Sequence, residues 1–208
     1  MLMESLGAID DRSKTYLKKI NTSADRMSDL ITDILAYSQL SKDNSLIVEV
    51  DLNRVINDAI TDFELVIEQS GAIIEFNDLQ VIEAIPRQMS QLFSNLISNS
   101  LKYSRTDVKP VINIKASLLP PDNTITNVYY RIELIDNGIG FSQEYADKIF
   151  NIFQRLHGKS EYSGTGIGLS ICKKIVQNHH GSIEAKGNKG HGAMFIITLP
   201  AKQNFTEE

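Results

Sequence analysis

The sequence predicts a two-layer α/β sandwich with a mixed sheet, preceded by a long helix of a helical bundle. Three observations predict it. Apolar residues recur at helical spacing from Asp11 to about Leu40. Beyond residue 46, short runs rich in Val, Ile, Phe and Tyr alternate with amphipathic stretches of helical length. A chain of 208 residues without internal repeats is long enough for one sizeable core plus an appendage, and this mixture of strands and helices packs as a sheet with helices on one face.

The first element is the long helix. Leu17, Ile20, Ala24, Met27, Leu30, Ile31, Ile34 and Tyr37 form a wide stripe, with Ile20, Met27 and Ile34 one heptad apart. At about 1.5 Å per residue the helix is roughly 45 Å long, more than one small core can cover, so it needs partner helices. A helix folded back on its own domain is the alternative. Ser41 to Ser45 read as a polar linker closing a segment of residues 1–46. A domain over 47–201 follows, with a strand at Ile47–Val50, a helix at Leu52–Gln69, strands near Ile73–Phe76 and Val81–Ala84, and a helix after Pro86. Strands Val111–Leu118 and Val128–Ile135 flank a proline-rich loop, LLPPDNT. A helix after Gly166 and strands Ser182–Lys186 and Met194–Leu199 complete the domain, and 202–208 read as a frayed tail.

The chemistry concentrates in three segments: QLFSNLISNSLKYS, then IDNGIGF, then GTGIGLS. At about 100° per residue, Asn95, Asn99 and Lys102 fall within an arc of roughly 60°. Met89, Phe93, Leu96, Ile97 and Leu101 cover the opposite side, so one face is core and the other is polar. Magnesium takes oxygen ligands and keeps several waters. The amides of Asn95 and Asn99 offer such oxygens without adding negative charge beside a polyphosphate, and Lys102 brings an ammonium to the same phosphates. A solvated helix face is the competing explanation. Asp136 ends a strand-like run, and its carboxylate suits the exocyclic amino group of adenine. Gly138 and Gly140 let the backbone approach the base, although Asn137-Gly138 alone also fits a type I′ hairpin turn. The glycines of GTGIGLS run straight into an apolar-periodic helix, whose first N–H groups favour phosphate. Neither a Walker loop nor a dinucleotide fingerprint is present. In order and spacing, the three segments describe an ATP site.

Some two dozen residues separate the two glycine clusters, with an amphipathic piece, EYADKIFNIF, and a polar stretch, HGKSEYSG. Such a segment suits a lid that orders over nucleotide. Arg155 is placed to reach phosphate when it closes, or is a solvated surface arginine.

Composition narrows the class further. No apolar run reaches the length of a membrane span and no signal peptide is visible, so the segment itself makes no membrane contact and a cytoplasmic setting is expected, with any anchor elsewhere in the parent protein. The single cysteine, Cys172, lies among apolar residues of the last long helix and fits a reducing compartment rather than a catalytic role. A net charge of −5 with mixed signs argues against nucleic-acid binding. His179 and His180 close a helix before Gly181; a helix end favouring positive charge, followed by a glycine cap, accounts for them without a metal.

These residues resemble the sensor histidine kinases of two-component systems. NLISN with Lys102 and Tyr103 looks like their N box, DNGIG like the G1 box, the Phe150–Phe153 region like the F box, and GTGIGLS like the G2 box; the likeness covers nearly the whole chain. It implies the Bergerat ATP-binding fold, with ATP and Mg²⁺ as cofactors, Asp136 holding adenine, and Asn95 and Asn99 serving magnesium. Lys102, Tyr103 and Arg155 would meet phosphates. The G1 residues Gly138, Ile139 and Gly140, the F-box Phe153, and the G2 residues Gly164, Thr165, Gly166, Ile167, Gly168 and Leu169 would line the nucleotide. The N-terminal segment would be part of a dimerisation and histidine-phosphotransfer bundle, which implies a homodimer and, as partner, the receiver domain of a response regulator.

There are departures from the family pattern. The phosphoacceptor histidine belongs on the first bundle helix, yet residues 1–46 contain no His. The expectation is that the chain starts just after the segment that carries the acceptor histidine, as an excised piece or as a degenerate kinase. The family often carries Thr close before the position of Phe195, where Ala193 and Met194 stand, which puts one polar contact near adenine in doubt. Asn95 stands where related ATPases place a glutamate base, and Asn cannot accept the proton. That favours a kinase. An anti-sigma-type serine kinase and a nucleotide-binding pseudokinase scaffold are the rival readings.

Overall fold

The computed structural model describes residues 10–40, 46–119, 128–156 and 164–203. The linker at 41–45, most of the proline-rich loop, the polar part of the expected lid with His157, and residues 204–208 lie outside the described residues. The long helix is present as α1, Asp11–Leu40. It is followed by β1 (Val48–Asp51), α2 (Leu52–Asp62), α3 (Glu64–Ser70), β2 (Ile73–Phe76), β3 (Val81–Ala84) and α4 (Pro86–Lys102). Then come β4 (Val111–Leu119), β5 (Tyr129–Asp136), α5 (Gly168–Asn178), β6 (Ser182–Asn188) and β7 (Gly192–Pro200).

Five strands form a mixed sheet in the order β2-β4-β5-β7-β6, parallel only between β2 and β4. Its core side follows the period-two rule of strands. Ile112 and Ile114 of β4, Ile132 and Leu134 of β5, and Phe195, Ile197 and Leu199 of β7 are buried in one cluster with α2, α4 and α5. The expected α/β sandwich is thus the observed one, with two differences. β1 and β3 pair with each other as a separate antiparallel ribbon rather than joining the main sheet. The helix expected over Leu52–Gln69 breaks at Phe63, whose N–H donates to both Ala59 and Ile60 carbonyls. The apolar pattern runs on through the break, and both Phe63 and Ile67 still pack against the core. Gly71 then caps α3 in the left-handed conformation.

α1 rests on the domain only near its C-terminal end. Leu40 is buried, Leu30 and Tyr37 pack against the core, and the Asn178 amide of α5 donates to the Leu40 carbonyl at 2.8 Å. Leu17, Ile20, Met27, Ile31 and Ile34 remain exposed. At the other end of the chain, Gln203 is packed rather than frayed: its N–H donates to Glu83 and its side chain to the His179 carbonyl.

Two further expectations change on inspection. The piece EYADKIFNIF forms two single 3₁₀ turns, Gln143–Tyr145 and Lys148–Phe150, instead of one helix. His179 is not a charged helix end. It is buried, its Nδ1 pairs with the Ile175 carbonyl at 2.8 Å and its Nε2 accepts the Ile85 N–H at 3.0 Å, while burial lowers its pKa. The neutral ring therefore satisfies the N-terminal end of α4, which has no side-chain cap of its own. The glycine cap is displaced as well: the left-handed residue is His180, at φ 55°, and the next N–H, from Gly181, bonds the Val176 carbonyl.

Candidate functional site

α4 sorts its residues as its periodicity requires. Met89, Leu92, Phe93, Leu96, Ile97 and Leu101 are buried, leaving Asn95, Asn99 and Lys102 half-buried on the other face. That face forms one wall of a pocket. Asn99, Ser100 and Tyr103 of α4 meet Asp136 at the end of β5, Ile139 and Gly140 just beyond it, Arg155, and Leu169 in the first turn of α5. The structure thus brings together residues from all three sequence segments.

Asp136 is the chemical centre of the pocket. Its Oδ1 accepts the N–H groups of Gly138 at 2.9 Å and Ala193 at 3.2 Å; its Oδ2 accepts the Ser100 hydroxyl at 3.3 Å. Burial pushes the carboxyl up from its ordinary range, and these three hydrogen bonds pull against that rise. Each carboxylate oxygen can accept about two hydrogen bonds, so Oδ2 retains capacity for a donor from a ligand.

The glycines beside it serve backbone packing as much as ligand access. A Cβ on Gly138 would lie 2.4 Å from the Tyr103 carbonyl oxygen, and one on Gly140, at φ 58°, would lie 2.1 Å from that of Asn188. This closeness lets Ile139 donate to Tyr103 and accept from Gly190. The hairpin alternative at Asn137-Gly138 is not realised, since β5 pairs with β4 and β7. Asn137 instead braces the start of β4, accepting from Val111 N–H at 2.8 Å and donating to the Lys109 carbonyl at 2.9 Å.

Of the remaining expected residues, Arg155 lines the pocket, while Asn95, Lys102, Phe153 and the residues from Gly164 to Gly168 flank it. Arg155 donates to the Gly164 carbonyl at 2.6 Å, and Gly166, at φ 80°, packs against Arg155 and the backbone of Phe153 and Gln154. Arg155, inside the expected lid, is therefore clasped to the glycine that closes it. Lys102 reaches the same place, where a Cβ on Gly164 would lie 2.7 Å from its Nζ. Phe153 is exposed and holds φ 66°, an uncommon value for a bulky residue that marks local strain. Asn95 turns its amide to the Gly168 carbonyl at 3.4 Å. Thr165 donates its hydroxyl to Asp33 of α1 and accepts the Ile167 N–H at 3.4 Å. Ile167 is fully buried beneath the start of α5. Cys172 is buried, its pKa pushed up to about 12, which leaves an inert thiol.

Sequence reasoning missed Ser100, Phe141, Ile149, Gln154 and Leu156 on the pocket wall, and it placed Ala193 and the Phe195 position near adenine only through the family resemblance. Ala193 and Phe195 reach it because β7 lies beside β5, with Phe195 opposite Leu134. Strand neighbours so far apart in sequence leave no local signal. Ala193 has no hydroxyl to offer a base, and its N–H donates to Asp136.

Comparison with known proteins agrees with this geometry. Residues 84–203 match the family described as histidine kinase-, DNA gyrase B-, and HSP90-like ATPase. The chain is 35% identical over 193 residues to the phytochrome-like protein Cph1 of Synechocystis, covering 93% of this chain and 25% of that protein. It is 32% identical over 206 residues to the sensor protein kinase WalK of Staphylococcus haemolyticus, covering 97% and 33%. Among solved structures, the nucleotide-free catalytic domain of the histidine kinase ThkA superimposes with TM-score 0.61 at 26% identity, covering 76% of this chain and 97% of that one. ThkA in complex with the response regulator protein TrrA matches with TM-score 0.67 at 25% identity, covering 96% and 55%. The chain spans about a quarter to a third of the length of these curated relatives.

Proposed function

Because the chain belongs to the histidine kinase-, DNA gyrase B- and HSP90-like ATPase family, we propose that it is the ATP-binding catalytic part of a sensor histidine kinase. It transfers the γ-phosphoryl group of ATP to a histidine on a dimerisation helix that this chain does not carry. The observation that supports this reading best is Asp136, a half-buried carboxylate fixed by two backbone N–H groups, with acceptor capacity left over on a pocket wall. That is the complement of an adenine amino group.

In this reading Asp136 selects and orients the base, while Ile139 and Leu169 cover it with apolar surface. Arg155 and Lys102, which both reach Gly164, stabilise the charge that spreads over the transferring phosphoryl group. Asn99 on the pocket wall fits a magnesium site, since an amide oxygen suits a hard cation. Asn95, one turn earlier, joins it when its amide leaves the Gly168 carbonyl. When bound, magnesium neutralises phosphate charge. Asn95 has no basic oxygen with which to activate water, so the phosphoryl group is held for the histidine.

Three settings belong to the same proposal. A second copy pairs along the exposed stripe of α1. The receiver domain of a response regulator takes the phosphoryl group onward, a reading supported by the likeness to ThkA. The segment works in the cytoplasm, with no nucleic acid involved; among the described residues no helix is long and apolar enough to cross a membrane.

The test is to incubate the chain with γ-labelled ATP and a helical hairpin bearing an acceptor histidine, with and without a magnesium chelator. The expected result is label in an acid-labile, base-stable phosphoprotein, abolished by the chelator, with little free phosphate. Rapid release of free phosphate would favour an ATPase, acid-stable label a serine kinase, and binding without transfer a scaffold.

A further inference from the structure

We infer that Ser100 is a positioning residue for base recognition: its buried hydroxyl holds the Asp136 carboxylate in the orientation that accepts an amino-bearing purine. The inference rests on the ATP reading of this pocket and adds to it the residue that sets its selectivity.

Oδ1 of Asp136 is anchored twice, by the N–H groups of Gly138 and Ala193. A carboxylate held through one oxygen can still swing its other oxygen about that anchor. Ser100 stops the swing: its Oγ lies 3.3 Å from Oδ2, and the residue is only 4% exposed. Among the described residues it is the one side chain that donates to Asp136, because β7 brings Ala193 to this point with an N–H and no hydroxyl. The position is also fixed from behind. Ser100 lies one turn after Leu96, which is fully buried, and next to Asn99, so the packing of α4 sets where the hydroxyl stands. With its single proton given to Oδ2, the serine leaves that oxygen room for one further donor.

The consequence is selectivity. A purine with an amino group meets an oriented acceptor, whereas one with a carbonyl at the same place meets a carboxylate oxygen that cannot turn away.

The experiment compares binding of ATP and inosine triphosphate, which carries a carbonyl where adenine has its amino group, by calorimetry on the whole chain and on two variants. At 3.3 Å the bond is longer than an ideal O–H···O contact, so Ser100→Ala should weaken ATP by about three- to ten-fold, the range of one ordinary hydrogen bond. Inosine triphosphate should change by less than about two-fold, so discrimination between the two falls. Equal ATP affinity in the folded variant overturns the inference, and so does an equal loss for both nucleotides, which would make Ser100 a packing residue. Asp136→Asn separates the two levels. If it weakens ATP while Ser100→Ala does not, only the role of Ser100 fails; if neither does, the adenine reading itself fails.

Discussion

Asp136→Asn should weaken ATP binding while leaving the fold as stable as before or more so. The amide oxygen of asparagine can take over Oδ1 and keep the N–H groups of Gly138 and Ala193. Its NH₂ then stands where Oδ2 stood and donates to Ser100 Oγ, which reverses its role, since a hydroxyl both donates and accepts. Every internal hydrogen bond of the carboxylate is therefore preserved, and what disappears is the acceptor for adenine, replaced by a donor facing a donor. A hydrogen bond to a charged group contributes about 1.5–3 kcal/mol, so ATP affinity should fall roughly 10- to 150-fold. Stability moves the other way because burial is the largest influence on this carboxyl and raises its pKa. The sign follows: a carboxyl whose folded pKa lies above its unfolded value disfavours folding in full above the folded value, and the cost shrinks as pH falls through it and is gone below the unfolded value. The asparagine carries no such cost at any pH. The wild type should also lose ATP affinity as acid protonates Asp136, at a higher pH than an ordinary aspartate would require, whereas the variant should lack this acid limb. Calorimetry from about pH 4.5 to about pH 8, paired with thermal unfolding, checks both limbs. Unchanged ATP affinity in a folded variant refutes the adenine assignment, and a loss of affinity accompanied by a large loss of stability refutes the claim that the internal contacts survive.

Two further predictions concern the end of α5. The pKa of His179 is lowered by burial, so its stabilising effect is present above the unfolded value of about 6.5 and is lost as pH falls through the folded one, when the protonated Nε2 can no longer accept the Ile85 N–H. His179→Gln should be less stable than wild type near pH 7.5 by about 1–3 kcal/mol but should lose less on acidification to about pH 5.5; identical pH slopes in denaturant titrations would count against the neutral-histidine bridge. His180 holds φ 55°, so His180→Gly should raise stability by roughly 0.5–1 kcal/mol, or a few degrees in Tm. A lowered Tm would mean that the contacts of the histidine side chain outweigh the strain.

What was legible in the sequence was whatever local periodicity and local chemistry encode. The buried face of α4 and the boundaries of β2 and β3 follow from apolar spacing, and Asp136 ends its strand as expected. The pocket's far wall was reached only through the family resemblance, because Ala193 and Phe195 enter through the pairing of β5 with β7, a choice made by topology that local pattern does not encode. Ser100 was hidden for a different reason: a serine on the core side of an amphipathic helix looks like filler until its partner is known. The break at Phe63 escaped notice because the apolar pattern continues unbroken across it. The glycines were read as sites where the backbone approaches the base, whereas the close approach seen at Gly138 and Gly140 is that of the protein's own backbone. His180 shows the same limit from the other side, since a glycine one residue later looked like the natural cap and instead sits where a Cβ would lie 2.2 Å from the Thr198 oxygen.

α1 shows how a single apolar stripe can serve two purposes. The sequence presents one broad band, but the structure divides it. Leu30, Asp33, Tyr37 and Leu40 fall on one face and meet the domain through the core, Thr165 and Asn178. Leu17, Ile20, Ala24, Met27, Ile31 and Ile34 are exposed and alternate at spacings of three and four, the pattern of a coiled-coil seam. Neighbouring residues on a helix differ by about 100°, so Leu30 and Ile31, or Asp33 and Ile34, point in clearly different directions. A partner helix packed along the exposed seam would leave the docked face undisturbed. Pairing and docking therefore do not compete for the same side chains. A change at Asp33 or Tyr37 perturbs how α1 sits against Thr165 and α5, while a change at Ile20 or Met27 leaves that docking untouched and would bear only on the proposed association.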